Sequence, residues 1–184
     1  TMSPVATPAA VREQLHAGTP AGWYLLQGED DVEKAGLARE FEALVDEGLR
    51  AFDVERIHAG EFRGAEGLAA AMSALANAAK TLPMLSPRRV VVVQQAELLL
   101  APKREGGAAD RAVAELEALI DDPNPAATIV LIANDIDRRS RMFKALARAA
   151  VVVECGALKD ARDAEHWVRS RVAATGAHIE PAEI

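Results

Sequence analysis

The segment LLQGEDDVEKAGLAREF, between Leu25 and Phe41, has the layout of a phosphate-binding loop. An apolar strand ends at Gly28, a short loop follows, and a helical pattern begins. Lys34 follows Gly28 by six residues, which is the spacing of the first glycine and the lysine in G-x-x-x-x-G-K-[ST]. In that motif, backbone N–H groups bind the phosphates, and the final hydroxyl holds Mg²⁺. The segment therefore raises the question whether this chain binds a nucleotide.

The side chains of this loop do not suit a phosphate. Glu33 stands where the motif has its second glycine, and Ala35 stands where it has the hydroxyl. Residues 29–31 are all acidic, and carboxylates beside a triphosphate repel it. Acids at the start of a helix have an ordinary structural role, since Asp30 or Asp31 can cap the helix N-terminus and suits its positive end. We therefore predict a capped helix and no bound cofactor.

The second part of an ATPase site, an acidic pair after a buried strand, is also altered. The segment VVVVQQAELL ends its apolar run in Gln94 and Gln95, which are neutral amides, and Glu97 comes three residues later. An active site of this type needs carboxylates there for Mg²⁺ and the attacking water. The two defects together predict an ATPase-like topology without its chemistry. A divergent ATPase that uses Lys34 remains the alternative.

Strands and helices alternate along most of the chain, which predicts an α/β fold. Several strand candidates are apolar at successive positions, as is typical of parallel strands covered by helices on both faces. We predict a parallel sheet of about five strands with a P-loop-type layout. The predicted strands are Trp23–Gln27, Phe52–Ile57, Arg89–Gln94, Thr128–Ile132 and Ala149–Glu154; the predicted helices are Val32–Gly48, Ala65–Lys80, Asp110–Ile120 and Ser140–Ala147.

The pattern changes after the last predicted strand. We assign residues 1–155 to the α/β domain and residues 156–184 to the beginning of a second, helical domain that the chain truncates.

Composition limits the classes of function. The 28 acidic residues exceed the 21 Lys and Arg, for a formal charge of −7, which disfavours a stand-alone nucleic-acid binder. The single cysteine, Cys155, cannot form an intrachain disulfide, and the four histidines lack metal-ligand spacing. No apolar stretch is long enough to span a bilayer, and no signal peptide opens the chain. We expect a cytoplasmic protein that binds neither a metal nor a membrane.

Three segments together resemble a known family. They are WYLLQGEDDVEK, KTLPMLSPRRVVVVQQAELL and LEALIDDPNPAATIVLIANDIDRRSRMFKALARAA, in this order. They are similar to the bacterial DNA polymerase III delta subunit, from Gly22 to the C-terminus. The resemblance implies a clamp-loader subunit with an ATPase-like (AAA+-like) fold and no ATPase activity, and it makes residues 156–184 the start of a lid domain. The four-cysteine zinc module of the sister subunits is absent, which favours delta.

The resemblance also implies a clamp-binding element. Family members carry two bulky apolar side chains ahead of the third strand, and these positions are Met84 and Leu85 here, beside Leu82 and Pro83. The family more often has an aromatic at this pair. The residues alone leave a core position open as the alternative. Pro83 and Pro87, however, favour a turn that leaves the helix and projects its side chains.

The partners that the resemblance implies are the beta sliding clamp and the other clamp-loader subunits, with DNA bound only as part of that complex. Four basic residues in DRRSRMFKALAR are candidates for a subunit or DNA contact: Arg138, Arg141, Lys144 and Arg148. A basic face that is merely solvated is the alternative. The function implied is opening of the clamp ring for loading onto primed DNA. A purely structural scaffold subunit is the remaining alternative.

Overall fold

The centre of the domain is a sheet of five parallel strands, in a computed structural model that describes residues 5–64, 66–101 and 106–156. The strands are β1 (Trp23–Gln27), β2 (Val54–His58), β3 (Arg89–Gln94), β4 (Ala127–Ile132) and β5 (Val151–Glu154). Their order across the sheet is β2-β3-β4-β1-β5, and every neighbouring pair is parallel. The predicted five-stranded parallel sheet is confirmed.

Seven α-helices and two short 3₁₀ helices, Glu47–Leu49 and Ala59–Glu61, belong to the described part of the chain. The α-helices are α1 (Pro8–His16), α2 (Asp31–Glu42), α3 (Arg50–Asp53), α4 (Gly67–Lys80), α5 (Glu97–Leu100), α6 (Gly107–Asp121) and α7 (Arg141–Leu146). The four predicted helices correspond to α2, α4, α6 and α7. The prediction that α2 continues to Gly48 is wrong. The chain tightens after Phe41 into bonds of the 3₁₀ type, and this turn buries the side chain of Val45.

Helices cover both faces of the sheet. Leu25, Val91 and Ile129 belong to one apolar cluster, which also contains the inner residues of α4, α6 and α7. Their strand neighbours, such as Tyr24 and Val90, point the opposite way and pack with α1 and α2. Because successive strand residues face opposite sides, a strand buried on both faces must be apolar throughout. This explains the unbroken apolar runs of β3 and β4.

In a parallel sheet all strands start at one edge, called the amino edge below, and end at the opposite one, the carboxyl edge. Each of these two edges carries one of the segments singled out above. The loop after Gly28 follows β1 and therefore lies at the carboxyl edge. The loop formed by residues 81–87 precedes β3 and lies at the amino edge. Strands of this length separate the two edges by roughly 15–20 Å, at about 3.3 Å per residue.

Two further predictions concern the second domain and the membrane. Apart from Gly156, the predicted helical segment 156–184 lies outside the described residues. Within the described ranges, no helix is both long and apolar enough to cross a bilayer.

Candidate protein-interaction loop and nucleotide loop

Residues 81–87, called the apolar loop below, expose their large apolar side chains. Leu82, Met84 and Leu85 retain 69%, 68% and 58% of their surface, whereas the preceding helix buries Met72 and Leu75 almost completely. A core position for Met84 and Leu85, which the sequence left open, is therefore not what the structure shows. In the part of the chain that is described, these three belong to a group of only seven exposed large apolar residues.

The backbone of the apolar loop is held by Asp53, the last residue of α3. The N–H of Met84 donates to Oδ1 of Asp53 at 2.5 Å, and those of Leu85 and Ser86 donate to Oδ2 at 2.8 and 2.7 Å. Asp53 itself is fully buried. One carboxylate thus satisfies three consecutive backbone donors in a segment that has no helix or strand of its own.

The same interactions explain the acidity of Asp53. Burial alone raises the pKa of a carboxyl, because it disfavours the charged form. The three backbone N–H groups of the apolar loop, with the Ser86 hydroxyl, outweigh that effect and lower the pKa of Asp53 to about 2. The carboxylate is therefore charged throughout the physiological pH range.

Arg89, the first residue of β3, fixes the helix that leads into the apolar loop. Its Nε donates to the carbonyl of Ala78 at 3.2 Å, and its Nη1 donates to the carbonyl of Phe52 at 3.1 Å. Its Nη2 pairs with the carboxylate of Glu55. A single buried guanidinium therefore ties the end of α4 to the end of α3.

Asn124, in the loop before β4, also holds the end of α4 and the start of the apolar loop. Its Nδ2 lies 3.2 Å from the carbonyl oxygens of both Ala79 and Thr81. Beyond the apolar loop, the Ser86 hydroxyl donates to the carbonyl of Arg88 at 2.5 Å. The apolar loop is thus fixed at its start, its centre and its end.

An aromatic residue stands next to this anchor. Phe52 retains 48% of its surface and immediately precedes Asp53, whose carboxylate holds Met84 and Leu85. The exposed apolar residues of the amino edge therefore come from two segments, α3 and the apolar loop. Phe52 is the first residue of the predicted strand Phe52–Ile57, and its residue type and position alone predict no role for it.

At the carboxyl edge, the loop after β1 is closed by the protein's own backbone. Gly28 has φ +115°, and a Cβ there would lie 2.3 Å from the carbonyl oxygen of Cys155. The N–H of Asp30 donates to that same oxygen at 2.9 Å. Asp30 also caps α2, because its Oδ1 accepts the N–H of Glu33 at 2.9 Å. The predicted capping role is confirmed for Asp30.

The charged residues of this loop are engaged within the protein. The buried Lys34 donates its Nζ to the carbonyl of Ala133 at 3.2 Å and pairs with Asp31 at 2.9 Å. Glu33, also buried, pairs with Arg12 of α1 at 2.5 Å. The lysine that a phosphate would need thus bonds the end of β4, and α1 covers the glutamate at the second-glycine position. Ala35 supplies only a methyl group.

The segment after β3 likewise lacks a free carboxylate for a metal. Gln95 adopts φ +53°, and its side chain lies against Gly60. Glu97 accepts the backbone and side-chain N–H groups of Asn134, both at 3.3 Å. No cluster of three or more His, Cys, Asp and Glu that could hold a metal is found within the described ranges.

The four basic candidates are all exposed, but they do not form one face of a helix. Only Arg141 and Lys144 belong to α7, while Arg138 and Arg148 flank it. Each arginine has an acidic partner, and the pairs are Arg138–Glu154, Arg141–Asp110 and Arg148–Glu117. Their use as a subunit or DNA contact stays a prediction.

The comparisons with known proteins agree with this architecture. The domain, a helix-covered parallel sheet of five strands, shares its fold with two solved structures. A solved structure titled as the DNA clamp loader delta protein of Bacillus subtilis matches 91% of this chain with a TM-score of 0.68 at 22% identity. A DNA polymerase III gamma subunit-related protein of Thermotoga maritima matches 85% of it, with a TM-score of 0.54 at 18% identity.

The family is decided by the sequence of residues 63–156, which match the family described as DNA polymerase III, delta subunit. The match takes in slightly more than half of the chain and includes the apolar loop. The chain belongs to the DNA polymerase III delta subunit family. It spans about half the length (48%) of each of the two solved structures. No curated protein sequence matches the chain.

Two anchors of the apolar loop, Asp53 and Asn124, could not be predicted from the sequence around the loop. Asp53 is 31 residues before Met84, and Asn124 is 43 residues after Thr81, so no local pattern connects them. One signal was nevertheless present. Each residue lies just before a strand, and the starts of parallel strands meet at the same edge as the loop before β3.

Proposed function

We propose that this chain is the clamp-binding domain of a non-catalytic clamp-loader subunit, and that it binds the sliding clamp through the apolar loop. The observation that carries the proposal is the display of Leu82, Met84 and Leu85 on an anchored backbone. Contiguous exposed apolar side chains mark interaction sites, and a backbone that is already fixed lowers the entropy cost of binding. Met84 adds a flexible thioether that adapts to a partner's pocket.

Opening of the clamp ring follows if the domain binds the open ring more tightly than the closed one. A ligand shifts an equilibrium only by its difference in affinity for the two states. The apolar loop provides the hold on one clamp subunit, and contact of the surrounding domain with the ring interface provides that difference. ATP hydrolysis by this subunit is not required, and other loader subunits control when the loop is accessible.

The geometry of the carboxyl edge supports the absence of ATPase activity. Lys34 is bonded to Ala133 and Asp31, and Glu33 is covered by Arg12. The carbonyl of Cys155 takes the N–H of Asp30. A nucleotide would have to displace these bonds and then approach a carboxylate. We infer that the loop is retained for the fold and that a divergent ATPase is disfavoured.

The acidic net charge supports a protein partner over a nucleic acid. The chain carries −7, and the three arginines around α7 are paired with acids. DNA would be reached only within the assembled loader, in the cytoplasm, together with the other subunits. A scaffold subunit that only holds its neighbours is the alternative.

The decisive test is a titration of the 184-residue chain with the purified sliding clamp, followed by calorimetry or fluorescence anisotropy. We expect saturable binding that replacement of Met84 and Leu85 by alanine weakens. Ring opening is measured separately, by the separation of two fluorophores placed across one clamp interface. No binding at high micromolar concentrations of both proteins would leave the scaffold role as the better explanation.

A further inference from the structure

The buried carboxylate of Asp53 accepts hydrogen bonds from the backbone of the apolar loop. The three hydrogen bonds that it accepts from backbone groups come from Met84, Leu85 and Ser86. Two of these donors belong to the residues whose side chains are proposed to meet the clamp. In each residue, the backbone nitrogen that carries the N–H is bonded to the Cα that carries the Cβ. Fixing the direction of the N–H therefore restricts the direction of the side chain.

We propose that Asp53 is the positioning residue of the clamp contact: its carboxylate holds the backbone of residues 84–86 so that Met84 and Leu85 are presented in their binding geometry. The inference rests on the proposed function. It assigns Asp53 no contact with the clamp, because the residue is buried beneath the apolar loop.

The chemistry of the anchor requires a carboxylate. An ionised carboxylate has only acceptor sites and can receive all three N–H groups, two of them on Oδ2. An asparagine has the same shape but a single acceptor oxygen, and its NH₂ group would oppose at least one backbone donor. Asp53→Asn therefore loses at least one of the three hydrogen bonds, together with the charge that strengthens the others, while keeping the volume of the side chain.

Loss of the anchor should weaken binding through disorder of the apolar loop. Thr81 still bonds the carbonyl of Asn77 at the end of α4, but residues 82–87 form no ladder or helix hydrogen bonds that could hold the centre of the apolar loop without Asp53. A loop that samples several conformations must give them up on binding, which lowers affinity without removing any contact. We expect a loss of roughly tenfold or more, which corresponds to about 1.4 kcal/mol.

The first experiment needs no clamp. Hydrogen exchange of the backbone amides of residues 84–86 is measured by NMR in the 184-residue chain. In Asp53→Asn these amides should exchange at least about tenfold faster, with the amides of α4 and β3 unchanged. The control is Asp137→Asn, which removes a carboxylate that accepts one backbone N–H at the carboxyl edge, that of Arg139. Unchanged exchange in Asp53→Asn would overturn the anchor.

The second experiment is a double-mutant cycle with the clamp. Asp53→Asn should weaken clamp binding of the wild-type chain but cause no further loss where Met84 and Leu85 are already alanine. Equal losses in both backgrounds would indicate a general structural role and would refute positioning. If the wild-type chain does not bind the clamp, both the proposed function and the clamp as partner are wrong. The exchange experiment still shows, independently, whether Asp53 holds the backbone of residues 84–86.

A second variant acts from the loop side, in case Asp53→Asn does not fold. Ser86→Pro removes one of the three donors at a partly exposed position, and Ser86→Ala removes only the hydroxyl. The proline variant should accelerate exchange at Met84 and Leu85 and weaken clamp binding more than the alanine variant. Identical behaviour of the two variants would contradict the role of the backbone N–H.

Discussion

Replacement of Met84 and Leu85 together by alanine distinguishes a contact surface from a part of the core. The two side chains retain 68% and 58% of their surface in the free chain. Truncation of such exposed side chains usually changes the free energy of unfolding by less than about 0.5 kcal/mol each. We therefore expect the double variant to melt within a few degrees of the wild type.

The expected effect on binding follows from the same exposed fractions. Complete burial of an exposed Met or Leu contributes about 1.5–3 kcal/mol. Scaled by the exposed fractions of Met84 and Leu85, the pair contributes roughly 2–4 kcal/mol if the clamp buries both. That free energy corresponds to a loss of affinity of roughly 30- to 1,000-fold.

The assay combines thermal melts and clamp titrations on the same preparations. The matched surface control is Val32→Ala with Leu98→Ala, two other exposed apolar residues that lie away from the apolar loop. The core control is Leu75→Ala in α4, which should cost about 2–5 kcal/mol of stability. A large drop in melting temperature with unchanged clamp affinity, in the double variant, would refute the reasoning.

Four further predictions follow from the described contacts. ATP with Mg²⁺ should produce no binding heat, because Lys34 is bonded within the protein; micromolar binding that Lys34→Ala abolishes would contradict this. Cys155 should react with thiol reagents much more slowly than an ordinary thiol at pH 8, because its side chain is buried and because burial, with the nearby Glu33, raises its pKa to about 12. Rapid labelling of the native chain would disprove this. The folded-state pKa of Asp53, about 2, lies below its ordinary value of 3.8, so its carboxylate should hold the apolar loop fully above about pH 4 and release it as the pH falls toward 2. Amide exchange at residues 84–86 that becomes faster already between pH 7 and 5, after correction for the intrinsic rate, would refute this. Phe52→Ala should weaken clamp binding by less than the loop pair and leave the melting temperature nearly unchanged, and an unchanged affinity would exclude Phe52 from the contact.

The sheet could be predicted because strands that are buried on both faces appear in the sequence as unbroken apolar runs. The bounds of β1 and β3 coincide with the predicted ones, since both are apolar runs covered on two faces. β2 starts at Val54 and not at Phe52, because Phe52 and Asp53 belong to the single turn α3. α1 was not predicted, although Thr7 caps it and Pro8 begins it, two start signals that the sequence does contain.

The candidate site was predictable only in part. Two prolines around Met84 and Leu85 indicated a turn, and the structure exposes both side chains. What holds the turn could not be read locally, because Asp53 is brought to it by the pairing of β2 with β3. Lys34 shows the same limit, since its bonding partner Ala133 belongs to the distant end of β4.

The placement of the two loops at opposite ends of the strands has a consequence for how such a domain can change over time. Gly28 and Lys34 lie against the residues that follow β5 and β4, while the supports of the apolar loop come from α3, α4 and the loop before β4. Distant sites that share no partners vary nearly additively. A carboxylate at position 33 and a methyl group at position 35 are therefore compatible with an unchanged conformation of the apolar loop at the other end of the strands.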